Sequence, residues 1–315
     1  MEISIVPISL VYIYYFVGVI HEIDQVAVNF NRDTALILNV SLGIIMFSVA
    51  LELTITDFKR VLSYPKPILL GLLSQFLLLP LVTFLLVIIV NPIPSIALGM
   101  FMVAACPGGN VSNFMSAVAK ANIALSVSLS AVATSLAIFL TPINFAFWSS
   151  MYPPAQEILK SVNVSTYEMI KTVFIIMAIP LVLGMWVKEK FPILTERIFK
   201  PVRILSLLIF LVIIIMALYM NFDVFWTYLY LILLLVPIHN FVALMTGFSW
   251  ASLFKLSRTD VKSISIETGI QNSGLGLLLI FTFFNGLGGM ALVAAGWGIW
   301  HLLSGLAVAY YWKER

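Results

Sequence analysis

Long apolar stretches recur from one end of the chain to the other, and they constrain the fold more than any other feature. They cover residues 3–20, 34–53, 67–90, 94–119, 122–148, 167–187, 204–221, 225–249, 261–284 and 288–311. A helix needs about 20 apolar residues to cross a hydrocarbon core about 30 Å thick. Lipid offers no hydrogen-bond partners, so spans of this length must satisfy their own backbone groups as helices. The sequence therefore predicts an all-α integral membrane protein with ten transmembrane helices. Composition agrees. Hydrophobic residues make up 62% of the chain and charged residues 10%, against about 25% charged in soluble domains. The first stretch has neither a basic leader nor a small-residue cleavage site, so it reads as a helix of the protein and not as a signal peptide.

Charge placement tests the helix count. With ten crossings both termini fall on one side. That side collects Lys59, Arg60, Lys66, Lys120, Lys188, Lys190, Arg197, Lys200, Arg203, Lys255, Arg258, Lys262, Lys313 and Arg315, and leaves Arg32, Lys160 and Lys171 opposite. The positive-inside rule makes the crowded side cytoplasmic. The expected location is a cell (inner) membrane, with the bilayer as partner. No basic run points to nucleic acid, and the single cysteine, Cys106, excludes an intrachain disulfide.

Five helices fall in residues 1–155 and five in 156–315. An odd number per half means that the halves enter the membrane in opposite senses, which is the layout of an inverted repeat. The fourth helix of each half is interrupted by polar residues and helix breakers. One carries Cys106-Pro107-Gly108-Gly109-Asn110-Val111-Ser112-Asn113, the other Ser265-Ile266-Glu267-Thr268-Gly269-Ile270-Gln271-Asn272-Ser273-Gly274. Proline removes a backbone donor and collides with the preceding turn. Corresponding breaks of this kind in two halves are the best sequence pointer to a transport site. Unwound carbonyls coordinate a cation, while the N-terminus of a resuming half-helix favours an anion. Glu267 stands deep in its span with no basic residue at the same depth, so a cation, a proton or a wet cavity must stabilise it.

These motifs resemble a known family. Met46-Phe47-Ser48-Val49-Ala50-Leu51-Glu52-Leu53-Thr54 with Asp57-Phe58, the Cys106 to Asn113 segment, Glu267 with Gln271-Asn272-Ser273-Gly274, and Trp300-His301 with Ser304-Gly305 together look like the signatures of the bile acid:sodium symporter family. The resemblance covers residues 34–311. It implies a core domain with two crossing discontinuous helices, the fourth and ninth, and a panel domain of helices one, two, six and seven. It also implies two bound Na⁺. One would be held by Ser112, Asn113, Ser126, Ser130 and Glu267, the other by Gln75, Glu267 and Gln271 with the carbonyls of Thr268 and Ile270. Oxygen ligands suit such a hard cation. Asn110, Val111, Asn272, Ser273 and His301 would face the substrate. The function so implied is sodium-coupled symport of a small organic anion, a bile-acid-like molecule or small carboxylate, by a monomer working through alternating access. A cation/proton exchanger using Glu267 and a non-transporting membrane sensor are the alternatives. Nothing in the sequence points to an enzyme.

Weaker signals read as structural. His239-Asn240 and Cys106 are expected to pack between helices, and Lys171 to snorkel from a helix end. Asn163-Val164-Ser165 matches a glycosylation acceptor.

Overall fold

The fold is that of a computed structural model, which describes residues 23–24, 32–51, 53–109, 111–162, 165–220 and 222–314. The first expected span, Asn110 and Asn163-Val164 lie outside the described residues. Among the described residues every regular element is a helix, and the one β feature is a single bridge. In chain order the helices are α1 (Arg32–Ala50), α2 (Ile55–Ser63), α3 (Pro65–Val90), α4 (Pro94–Ala105), α5 (Val111–Val118), α6 (Ile123–Ser150), α7 (Gln156–Val162), α8 (Thr166–Lys190), α9 (Pro192–Met220), α10 (Phe222–Ile232), α11 (Leu235–Leu253), α12 (Arg258–Gly269), α13 (Ser273–Phe283) and α14 (Gly288–Lys313).

Helices α3, α6, α8 and α14 are each long and apolar enough to cross a membrane, and α10 with α11 makes a fifth such unit, bent by 42°. The outer surface is apolar. Leu62, Ile89, Leu183 and Tyr219 are exposed, as expected for faces that meet acyl chains and not water. Among the described residues the expected boundaries match closely, with two differences. The span 225–249 is two helices joined at a bend. The basic stretch 188–203, read from sequence as a connection, is largely helical: α9 starts at Pro192, a residue favoured at the first turn because its missing N–H would be unpaired there anyway.

Both expected interruptions appear as breaks. Helix α4 has 12 residues and α12 has 12, with 8 in α5 and 11 in α13. At 1.5 Å per residue the longest of these reaches about 18 Å, too short to cross alone. The first break follows from Pro107, which pushes the preceding residue out of helical geometry. Cys106 is accordingly extended, at φ −70° and ψ 156°. The second break needs no proline. The α13 helix restarts with Asn272 as its cap, the side chain accepting from Leu275 N at 3.1 Å.

The junctions flanking these broken helices are tight and share one device. A residue with positive φ closes each: Asn91 between α3 and α4, Lys120 between α5 and α6, Lys255 between α11 and α12, and Asn285 with Gly286 between α13 and α14. Left-handed backbone lets a chain reverse within a few residues. Asp24 caps α4 from outside, its carboxylate accepting from Ser95 N at 2.9 Å. Tyr152 pins the Asn91 junction, donating to Asn91 Oδ1 at 2.9 Å.

Helix α3 contains a π-helical turn, Ser74–Leu78. Its cause lies one turn on, at Pro80. Proline has no N–H to give the carbonyl four residues back, and that carbonyl belongs to Phe76. Asn144 of α6 supplies the missing donor, its Nδ2 lying 3.0 Å from Phe76 O. Helices α4 and α14 approach closely: a Cβ on Gly99 would sit 2.9 Å from Met290 Cα. On the other side α1 packs against α8 and α9.

Asn144→Leu is expected to leave the Phe76 carbonyl unpaired and lower stability by about 1–3 kcal/mol. Thermal unfolding of the detergent-purified protein reads this directly. An unchanged melting temperature would show that the π turn does not depend on that donor.

Candidate functional site

The two breaks meet. Gly109 N donates to Ile270 O at 2.7 Å, and Asn272 N donates to Pro107 O at 2.8 Å. The pair forms an antiparallel bridge between Gly108 and Gln271. Backbone groups freed when each helix unwinds are thus satisfied by the other break, which removes the cost of leaving them bare in an apolar interior. Contact this close requires glycine. A Cβ on Gly109 would stand 3.2 Å from Gln271 O, and one on Gly108 would stand 2.5 Å from Glu267 Oε1 and 2.7 Å from Gln75 Nε2.

Glu267, on the last turns of α12, is 2% exposed. Three hydroxyls converge on its carboxylate. Ser112 and Ser126 donate to Oε2 at 2.5 and 3.2 Å, and Ser130 donates to Oε1 at 2.6 Å. Ser126 and Ser130 share a face of α6 because they are four residues apart. Asn113 Oδ1 is a second acceptor within reach of the Ser126 and Ser130 hydroxyls, at 2.9 and 3.3 Å, and each has one proton to share between it and Glu267. The five residues expected from sequence at the first ion position therefore form one connected cluster. Ser116, which sequence reasoning missed, extends it by donating to Ser126 at 3.2 Å; its spacing of four from Ser112 on α5 was the available signal.

Of the second expected set, Gln75 stands near Glu267 at Gly108, and Gln271 pairs with Gly108 through the backbone bridge. A carboxylate has about four acceptor positions. Two hydroxyls stand against Oε2 and one against Oε1, and Oε1 is the oxygen that a Cβ on Gly108 would meet together with Gln75 Nε2. Gln75 lies in the π turn of α3, 1% exposed, and neither its Oε1 nor its Nε2 has a hydrogen-bond partner. Gln271 donates through Nε2 to Thr268 O at 2.7 Å, while its Oε1 is also unpartnered and buried. Unsatisfied amides are costly in an apolar interior. The donor set here is a carboxylate oxygen, two amide oxygens and backbone carbonyls, which is the chemistry of a site for a hard cation. Among the described residues no lysine or arginine lies within ion-pair distance of Glu267. The π turn itself was legible only through Pro80, five residues past Gln75.

The residues expected to face substrate are less closely gathered. Asn272 and Ser273 open α13, and Ser273 is nearly fully buried. Ser273 lies against α14 at Gly298, where a Cβ would come within 2.9 Å of its hydroxyl. His301, one turn further along α14, is buried with Nδ1 unpartnered. Val111 instead joins an apolar cluster with Met115, Ile266, Ile270 and Ala309. Asn110 lies outside the described residues.

Neighbouring helices brace the crossing. Asn240 Nδ2 donates to Gly269 O at 2.7 Å, capping the end of α12, and accepts from Ser304 at 2.6 Å. Ser74 and Thr268 share a hydrogen bond of 2.9 Å. His239 bonds Thr83 at 2.8 Å and packs edge-on against Trp297, the interhelical role expected of it. Cys106 is buried, also as expected. Lys171 does not snorkel alone but lies 3.9 Å from Glu168 on the same helix.

The profile of the sodium bile acid symporter family matches residues 39–227. The chain belongs to that family. It is similar to the uncharacterized sodium-dependent transporter YocS of Bacillus subtilis, 31% identical over 88% of this chain and 83% of the relative. It is also similar to a probable chloroplastic sodium/metabolite cotransporter of Oryza sativa, 28% identical over 88% of this chain and 64% of that protein. The ileal sodium/bile acid cotransporter of Homo sapiens is 26% identical over 78% of this chain and 70% of its own length. This member of the family is thus a membrane transporter that uses sodium, and it is not an enzyme.

Gly108→Ala is expected to abolish the rise in melting temperature that Na⁺ gives over K⁺, because the new methyl occupies space between Glu267 and Gln75. Gly276→Ala, whose Cβ would make ordinary contacts with Cys106 Sγ at 3.6 Å and Met102 Cγ at 3.9 Å, should keep that rise. A full sodium response in Gly108→Ala would show that the close approach is dispensable.

Proposed function

We propose that this family member is a symporter that couples two Na⁺ to the uptake of a small organic anion by alternating access. The observation that carries the reading is Glu267: one buried carboxylate takes three hydroxyls from α5 and α6 and has the unpartnered Gln75 amide beside it at Gly108. In this reading the first ion takes Ser112, Asn113, Ser126, Ser130 and Glu267, and the second takes Gln75, Glu267, Gln271 and the carbonyls of Thr268 and Ile270. Each ion offsets the carboxylate charge and draws α5, α6, α12 and α3 together. The ordered crossing then offers the starts of α5 and α13 to an anion, with Asn110, Val111, Asn272, Ser273 and His301 around it. Substrate adds its own energy to a conformation that sodium has already favoured, which is reciprocal coupling between the two sites.

Alternating access needs two bodies. The panel would comprise the first span with α1, α8 and α9, and the core would comprise the crossing and its supports. Packing of α1 on α8 and α9 supports this division. The inverted repeat, residues 1–155 against 156–315, draws support from the positive-φ closures. They stand before and after the broken helix in each half, Asn91 and Lys120 in the first, Lys255 and Asn285 in the second. The proposal includes a monomer in a cell membrane, with both termini cytoplasmic.

The test uses purified protein, a panel of small carboxylates and sulfonates, and Na⁺ against K⁺. A ligand that prefers the folded state raises its melting point, so a transported anion should stabilise in Na⁺ alone. Glu267→Ala should remove the sodium response entirely. Gln75→Ala should lower its Hill coefficient from about two to about one, since that coefficient is bounded by the number of sites. Equal anion shifts in both salts, or sodium dependence surviving Glu267→Ala, would overturn the symport reading.

A further inference from the structure

A second charged cavity lies away from the crossing, where the end of α11, the start of α12 and the end of α14 come together. It encloses about 460 Å³ and is lined by Phe248, Ser252, Arg258, Lys262, Tyr311 and Trp312, with Leu256 and Val261 behind. Arg258 and Lys262 are four residues apart on α12, so both project from one face. Like charges at that spacing repel, and Lys120, next to the Ala119 carbonyl that Lys262 holds at 3.1 Å, adds a third cation nearby. A protein that concentrates positive charge in a concavity without matching acids has built a receptor for an anion.

The local acids do not answer these cations. Asp260 is turned away and bound by Asn122 Nδ2 at 2.7 Å and by the Tyr64 hydroxyl at 3.2 Å. Glu314 closes α14 and forms no ion pair with either cation. Lys262 is 7% exposed. Its ammonium donates to Ala119 O at 3.1 Å and Trp312 O at 2.8 Å, carbonyls at the ends of α5 and α14. An ammonium has three donors, so one remains for the cavity that the residue lines. Arg258 is exposed and forms no ion pair among the described residues.

The rest of the lining is suited to lipid. Phe248 and Trp312 stack with ring centroids 6.1 Å apart and planes 24° apart, and Phe248 and Tyr311 are exposed on the outer surface. Aromatic residues of this kind settle at the level of lipid headgroups, and basic pockets between membrane helices bind anionic headgroups. We propose that this cavity holds the phosphate of an anionic phospholipid, gripped by Arg258 and the third donor of Lys262. The acyl chains would descend along Phe248 and Tyr311. The site stands apart from Glu267 and does not depend on the symport reading. Because Lys262 ties the ends of α5 and α14 together, a lipid there would stabilise the two helices that flank the crossing.

The experiment compares wild type, Arg258→Gln and Lys190→Gln in detergent. Dioleoylphosphatidylglycerol, dioleoylphosphatidylcholine, glycerol 3-phosphate and inorganic phosphate are added separately, and retention by native mass spectrometry and melting temperature are read. Wild type and Lys190→Gln should retain phosphatidylglycerol over phosphatidylcholine and melt higher with it. Arg258→Gln should bind it about fivefold more weakly, as the loss of one surface cation implies, while melting as wild type does without lipid. Equal retention by Arg258→Gln would overturn the site. Glycerol 3-phosphate or phosphate matching the lipid in stabilisation would overturn the lipid and assign the cavity to a soluble phosphate.

Discussion

The two hydrogen bonds between the broken segments, Gly109 to Ile270 and Asn272 to Pro107, are the constraint on which the central arrangement rests. Unwinding a helix inside a membrane strips several backbone groups of their partners, and lipid cannot replace them. One broken helix alone would be strongly unfavourable. Two that cross can exchange donors and acceptors, so each makes the other possible. Everything nearby follows from that mutual dependence: glycines where the backbones touch, an asparagine cap on the restarting α13, and Asn240 satisfying the last carbonyl of α12.

The crossing also sets the electrostatics. It brings a carboxylate to a place where water is excluded and no basic side chain reaches it. Hydroxyl donors from α5 and α6 take part of the burden, each such bond to a charged group contributing about 1.5–3 kcal/mol. Ionising a carboxylate in a low-dielectric interior costs several kcal/mol or more. Three hydroxyls around the carboxylate, the unpaired Gln75 amide and the unpaired Gln271 Oε1 leave a site organised to receive positive charge. A sodium-using family makes chemical sense on this frame.

Much of this was legible in the chain. The apolar spans located nearly every long helix, and the residues clustered at 106–113 and 265–274 located both breaks. Ser112, Asn113, Ser126, Ser130 and Glu267, distant in sequence, stand together in one cluster. Composition and spacing did not reveal Asn144, and they placed Asn240 between helices without the Gly269 carbonyl it satisfies, because a lone amide in an apolar span reads the same whether it cements two helices or satisfies one particular carbonyl. The helical start of α9 was hidden for a related reason: its basic first turns have the composition of a loop. The bend between α10 and α11 lies at Leu233 and Leu234, where Pro237 withholds an N–H from the Leu233 carbonyl, but apolar periodicity runs straight through it. Ser273 and His301 are on the expected helices, but burial, which no linear pattern encodes, shuts both away from solvent.

The π turn at Ser74–Leu78 has a consequence for how the sequence of α3 tolerates change in length. Such a turn accommodates one residue more than an α-turn would. Every residue on its N-terminal side is therefore offset by about 100° around the axis from where an unbroken helix would put it. A single deletion within 74–78 would relax the bulge into ordinary helix without shortening the span much. It would also swing Pro65 to Leu73 about the axis, carrying Gly71 off Leu129 and Lys66 off the Phe254 carbonyl. The length of α3 is thus free within a residue as far as the bilayer is concerned, but fixed to the residue by the angular phase that its two ends must keep.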